Sequence, residues 1–235
     1  NLYAQKGDLS EAADRFKKLI DKGNPPSSAY FSMGLLYLKQ NNIDDVLKMF
    51  EEAVNLSEFN TEYLNNLAYT YLLKDNFEAA IENYEKILRL DHEFILPYCE
   101  IALAYRLQGD LDMALEYNEK LVRLLQDEKL INLDKNKSPW LFNANLAPGF
   151  NAITLYSIKD KRVYAHLNLA ASLFLTKGEK DKAKAIEHMA KARAIKTDNK
   201  ETVVDLLVRD LRRLETVRPE TGDLIYEFRM ELSGI

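Results

Sequence analysis

Apolar residues between positions 27 and 126 recur in steps of three and four, and short polar runs break them into helix-length stripes. Leu64, Leu67, Ala68 and Tyr71 form one stripe. "KDN" at 74–76 interrupts it, and Ala80, Tyr84, Ile87 and Leu88 form the next. Such spacing puts each set on one side of a helix, so the pattern predicts helix, turn, helix. The pair then recurs with a period of 34 residues: Gly34, Ala68 and Ala102 share a column, and so do Tyr37, Tyr71 and Tyr105. The same register aligns Ile43, Phe77 and Leu111, then Val46, Ala80 and Ala114, then Phe50, Tyr84 and Asn118. Ala53, Ile87 and Leu121 follow, and Leu56, Leu90 and Leu124 close the set. Only Asn118 departs from the apolar or small pattern. One period earlier stand Tyr3, Leu9, Ala12, Phe16 and Leu19, a truncated copy.

The small column has a physical purpose. Gly34, Ala68 or Ala102 lets a neighbouring helix come close, and the aromatic one turn later fills the space beside it. One helix pair cannot bury its own stripe, so successive pairs must stack.

The register fails after residue 126. Continuing it would put Pro148 inside a helix, at a cost of about 3 kcal/mol. The interrupting stretch "KSPWLFNANLAPGFNAITLY", 137–156, holds the only Trp, Trp140. Ser138-Pro139 could open a short helix, Pro148-Gly149 signals a turn, and "AITLYSI" (152–158) could pair with 140–146 as a hairpin. Three roles compete for this insert: an ordered connector with Trp140 buried, a segment folded back into a groove, or an exposed binding loop. The first is expected, because the composition is too apolar for disorder. Helical patterning returns near Val163 with Leu167, Ala170, Ala171 and Phe174, then Ala185, Met189, Ala192 and Ile195. Two more helical stretches, around Val204–Leu214 and Leu224–Leu232, read as a cap with a polar outer side.

The predicted organisation is therefore an array over 1–126, with a truncated first repeat and full repeats at 27–60, 61–94 and 95–126. An irregular insert follows at 127–162, then a degenerate repeat at 163–197 and C-terminal capping helices at 198–235.

Composition narrows the function classes. A net charge of −5 gives no basic surface for nucleic acid. A single cysteine, Cys99, excludes an internal disulfide. No apolar run is long enough to span a membrane. The opening "NLYAQKGDLSEAA" already lies inside a helical pattern, so an upstream segment, with any signal or anchor, is expected to be missing. The compartment stays open, with the cytoplasm as the default expectation. His92, His166 and His188 are isolated in sequence, no phosphate loop or nucleophile elbow occurs, and no catalytic residue, metal ligand or cofactor is implied.

These columns resemble the tetratricopeptide repeat: a small residue, Tyr three later, a Gly-Asp turn ("QGD", 108–110), then small, aromatic and small in the second helix. The resemblance implies an all-α, right-handed α-solenoid of helix-turn-helix repeats. It also implies a concave groove that holds a peptide or partner helix. On that face would lie Phe31 and Leu35, Asn65, Asn66 and Tyr69, and Glu100 and Leu103, together with Ser32 and Cys99. Asn amides would serve a peptide backbone, and the apolar members its side chains. The family's clamp for acidic chaperone tails is excluded. Asn66 matches one clamp Asn, but Leu96 and Glu100 stand where Lys and Arg belong, and Phe31 and Leu35 replace the first Lys and Asn.

The expected function is non-catalytic scaffolding of a protein or peptide partner. Rival expectations are a recruiting domain of a larger enzyme, a peptide sensor, and a self-associating array like some bacterial organelle and pilus-assembly members of the family.

Overall fold

A computed structural model describes residues 9–40, 42–133, 140–142, 153–155, 157–176 and 178–233. Among them the architecture is an all-α helical repeat, with one short two-stranded pairing. The chain divides into two compact units, one ending at Asp91 and one beginning at His92.

The first unit holds α1 (Leu9–Asp21), α2 (Ser27–Lys39), α3 (Ile43–Leu56), α4 (Thr61–Leu73) and α5 (Phe77–Leu90). Helices α2 with α3, and α4 with α5, are the predicted antiparallel pairs. Polar breaks start the helices that follow them: Asn42 caps α3 through Asp45 N, Asn60 caps α4 through Glu62 N and Tyr63 N, and Asn76 caps α5 through Ala79 N. Each Asn satisfies backbone donors that a helix start leaves without partners. Val46, Phe50 and Ala53 of α3 meet Phe31 and Leu38 of α2 and Tyr63 and Leu67 of α4 in one core. The small column behaves as its spacing implies. A Cβ on Gly34 would lie 2.5 Å from the Phe50 ring, so only glycine lets α3 sit that close to α2.

One column does not join the core. Leu56 is 52% exposed and Leu90 46%. Both sit at the last residue of their helix, beyond the end of the packed interface. Tyr3 of the truncated copy lies outside the described residues.

The second unit begins with α6 (Leu96–Gln108), α7 (Leu111–Leu124) and a single turn, α8 (Glu128–Ile131). Within the insert, β1 (Trp140–Phe142) pairs antiparallel with β2 (Ile153–Leu155), with Trp140 opposite Leu155. The hairpin expectation thus holds over three residues a side. The burial expected of the Trp140 side chain, and the turn at Pro148, lie outside the described residues. Then come α9 (Ile158–Leu175), α10 (Glu179–Ala194), α11 (Lys200–Val217), a 3-10 turn at Pro219–Thr221, and α12 (Gly222–Leu232). Helix α9 starts five residues before Val163. Ser157 and Asp160 form a reciprocal capping box that fixes the earlier start.

Asn118, the departure from the aromatic column, is buried and donates through Nδ2 to Ser172 Oγ of α9 at 3.1 Å. Beside it, Arg106 of α6 reaches Asn168 Oδ1 at 2.9 Å. This junction between helix pairs is polar where its counterpart in the first unit is aromatic. Helix α11 lies against α9 and α6 rather than only closing the end of the array. Its start is held by Asp160 of α9, which accepts from Thr197 Oγ1 and Asn199 Nδ2. Past its end, Arg218 donates to Gln108 O, at the last residue of α6. Gly109 makes that contact feasible: its φ of +96° ends α6, and a Cβ there would collide with the Arg218 guanidinium.

Candidate functional site

The first helices of the pairs carry the predicted contact residues, and their fates differ between the two units. In the first unit Phe31 is 8% exposed. Its ring stacks on Tyr63 at 4.5 Å and tilts against Phe50 at 5.3 Å, so it joins neighbouring pairs rather than offering a surface. Leu35 is half-buried and packs on the same core. Asn65, Asn66 and Tyr69 are also half-buried. Asn66 Nδ2 donates to Glu62 O at 2.8 Å, which fixes its amide along the helix. Asn65 is different: its Oδ1 is shielded from solvent and accepts no hydrogen bond. An amide oxygen in that position is short of a donor, a deficit usually costing about 1–3 kcal/mol.

In the second unit the corresponding face is closed. Cys99, Glu100 and Leu103 are at most 8% exposed. The expectation of an open face at Glu100 and Leu103 is thereby corrected, and α11 is the cause. Asp210, buried on α11, accepts from the Tyr164 hydroxyl at 2.6 Å. Desolvation, and then the charge of Asp210, push the Glu100 carboxyl up to about 8, outweighing the pull of Arg209 and Arg213. Glu100 therefore sits as a neutral acid at pH 7, and its Oε2 has no hydrogen-bond partner. Nothing in the sequence near residue 100 signals this, because the covering helix lies about a hundred residues downstream.

Two further concavities were not anticipated. One, of about 260 Å³, is lined in the first unit by Val54, Phe59, Leu64 and Leu90 with Glu58, Lys86 and Arg89 at its edge. Phe59 beside it is 69% exposed. The other, in the second unit, is lined by Val122, Leu125, Gln126, Arg162, Ala165 and His166. There His166 and His188, far apart in sequence, bring their Nδ1 atoms to 3.0 Å, so one ring donates and the other accepts. Burial, then the neighbouring His188, Lys191 and Arg162, lower His166 to about 4.

The profile of the tetratricopeptide repeat matches residues 27–60, 61–93 and 97–125. Residues 27–125 are a tetratricopeptide repeat array. No curated protein sequence matches the chain significantly. Its fold is shared with solved structures at low identity. MamA from Desulfovibrio magneticus RS-1 aligns over 82% of this chain and 88% of its own, with 15% identity and a TM-score of 0.60. Another MamA structure aligns over 85% and 92%, at 18% identity and a TM-score of 0.59. PilF from Pseudomonas aeruginosa covers 98% of this chain and 85% of its own, at 15% and 0.54.

The chain's repeat array is a protein-interaction scaffold. Cys99 is fully enclosed and its thiol is pushed well above the usual range by burial and by Glu100, which leaves no thiolate nucleophile at neutral pH. Among the described residues no three His, Cys, Asp or Glu side chains approach metal-binding geometry, and no helix is long and apolar enough to cross a membrane.

Proposed function

We propose that this tetratricopeptide repeat protein is a non-catalytic scaffold whose first unit receives an extended segment of a partner protein on the α2 and α4 face. Leu35 and Tyr69 supply the apolar contact, Asn65 and Asn66 the polar contact, and Phe31 supports the face from beneath by its stack on Tyr63. The observation that carries this reading is the Asn65 carbonyl oxygen, held out of water without a donor. A turn of the half-buried Asn65 side chain outward would offer that oxygen to a backbone N–H of an extended segment, whose alternate side chains would meet Leu35 and Tyr69. In the second unit the partner-facing role of Glu100 and Leu103 requires α11 to move.

The test is affinity capture by the full chain and by the double variant Asn65→Ala, Tyr69→Ala, with helicity checked by circular dichroism. A partner retained by the parent and lost from the folded variant supports the reading. Equal retention by both removes this face from the binding surface.

A further inference from the structure

His166 of α9 and His188 of α10 stand 22 residues apart in sequence, and the packing of the two helices brings their rings together. The Nδ1 atoms lie 3.0 Å apart. Ring centroids 5.2 Å apart, with planes tilted by 36°, mean that the nitrogen edges meet and not the faces. Two imidazole nitrogens bound to one transition-metal ion at about 2.0–2.1 Å stand about 2.9 Å apart at a right angle and about 3.4 Å apart at the tetrahedral angle. The observed separation falls inside that interval. His166 is buried and His188 half-buried. His166 also borders the cavity of about 240 Å³ that Gln126 and Arg162 help to line, which gives an ion and its water molecules room beside the pair.

The surroundings keep both rings uncharged. Burial, then His188, Lys191 and Arg162, lower His166 to about 4, and burial, then Lys191, lower His188 as well. Neutral imidazole is the form that ligates metals. The two neighbouring cations are themselves engaged: Lys191 meets Glu187 at 2.7 Å, and Arg162 donates to Leu125 O at 2.8 Å and meets Glu128 at 3.6 Å. Glu187 and Glu119 act on His188 in the opposite sense, favouring positive charge beside it.

We propose that His166 and His188 chelate one divalent transition-metal ion of the zinc or nickel kind through their Nδ1 atoms, and that the ion clasps α9 to α10. In the free chain one Nδ1 carries the proton that the other accepts. On binding, that proton passes through solvent to Nε2 of the same ring, both Nδ1 lone pairs turn to the metal, and no net proton is released at pH 7. Two imidazoles favour such a metal over a hard cation like magnesium, and water fills the remaining positions. The site shares no residue with the partner face proposed for the first unit.

The experiment uses the full chain without a histidine tag. Calorimetric titration with zinc at pH 7 should find one equivalent bound, and magnesium should give no binding heat. His188→Gln and, separately, His166→Gln should each weaken zinc binding at least about tenfold, a difference of about 1.4 kcal/mol. His92→Gln should leave it unchanged. Zinc should raise the unfolding midpoint of the parent and of the His92 variant but not of the His188 variant. Substituting a buried ring puts the fold at risk, so the parent supplies a check that needs no substitution. Nitrogen-15 spectra should show Nδ1 of both rings shifting on zinc addition while both Nε2 atoms stay protonated. No zinc binding, uptake undiminished in His188→Gln, or spectra in which zinc meets Nε2 or His92 instead would each overturn the proposal.

Discussion

Replacing Glu100 by Gln keeps the side chain's shape and removes its ionisation, so it isolates the consequence of burying that acid. In the folded chain the carboxyl loses its proton at about 8, against an ordinary value of 4.5. A folded-state value above the unfolded one means that stability is complete below the unfolded value and is lost as pH rises through the folded value. Between pH 4.5 and about 8 the folded state holds one proton more than the unfolded state, which gives a slope of about 1.4 kcal/mol per pH unit. From pH 6.5 to 8.5 the parent should therefore lose about 2 kcal/mol that Glu100→Gln retains. His166 works the other way. Its value, lowered to about 4, makes the chain lose stability only as pH falls below 6.5, outside this window. Cys99 and Tyr164, both pushed upward by burial, add losses at higher pH that the two chains share. Urea titrations read by hydrogen exchange in peptides from α6, α9 and α11 report the second unit by itself. Parallel pH dependence of parent and variant would refute the account of Glu100 as a neutral buried acid.

Gly34→Ala should destabilise the first unit by about 1–3 kcal/mol, because the new methyl would overlap the Phe50 ring; urea melts followed by circular dichroism check it, and an unchanged midpoint would show that α3 retreats freely. Asn76→Ala removes the cap on Ala79 N and should cost about 1 kcal/mol, read in the same assay. Tyr164→Phe leaves Asp210 without its 2.6 Å donor and should cost about 1–3 kcal/mol, with faster exchange in α11. A nuclear magnetic resonance titration should find His166 neutral at pH 6 and charging near 4; protonation near 6.5 would contradict its enclosure beside His188.

The repeat was legible because its information is local. Small and aromatic columns 34 residues apart specify close helix approach, and Gly34 against Phe50 realises it. Caps at Asn42, Asn60 and Asn76 were marked by the same polar runs that broke the stripes. The Ser157–Asp160 box stands in the sequence as S-x-x-D, just after the β-branched residues of β2. Periodicity could not tell that Leu56 and Leu90, in register with buried columns, stand past the end of the interface. It placed Phe31 on the open partner-facing side, whereas its ring is buried in a stack on Tyr63. Glu100 was out of reach altogether, since its environment is made by Asp210. Asn118 shows the same dependence on a distant residue, its exception explained only by Ser172.

The tie from Arg218 to the last carbonyl of α6 also has a temporal side. A ribosome adding about 5–20 residues per second needs roughly 5–20 s to travel from the end of α6 to the end of α11. Through that interval Glu100 and Leu103 exist without α11, the helix that covers them in the finished unit. A nascent chain is thus born with this surface uncovered, and whatever waits near the tunnel exit meets it before its own helix does.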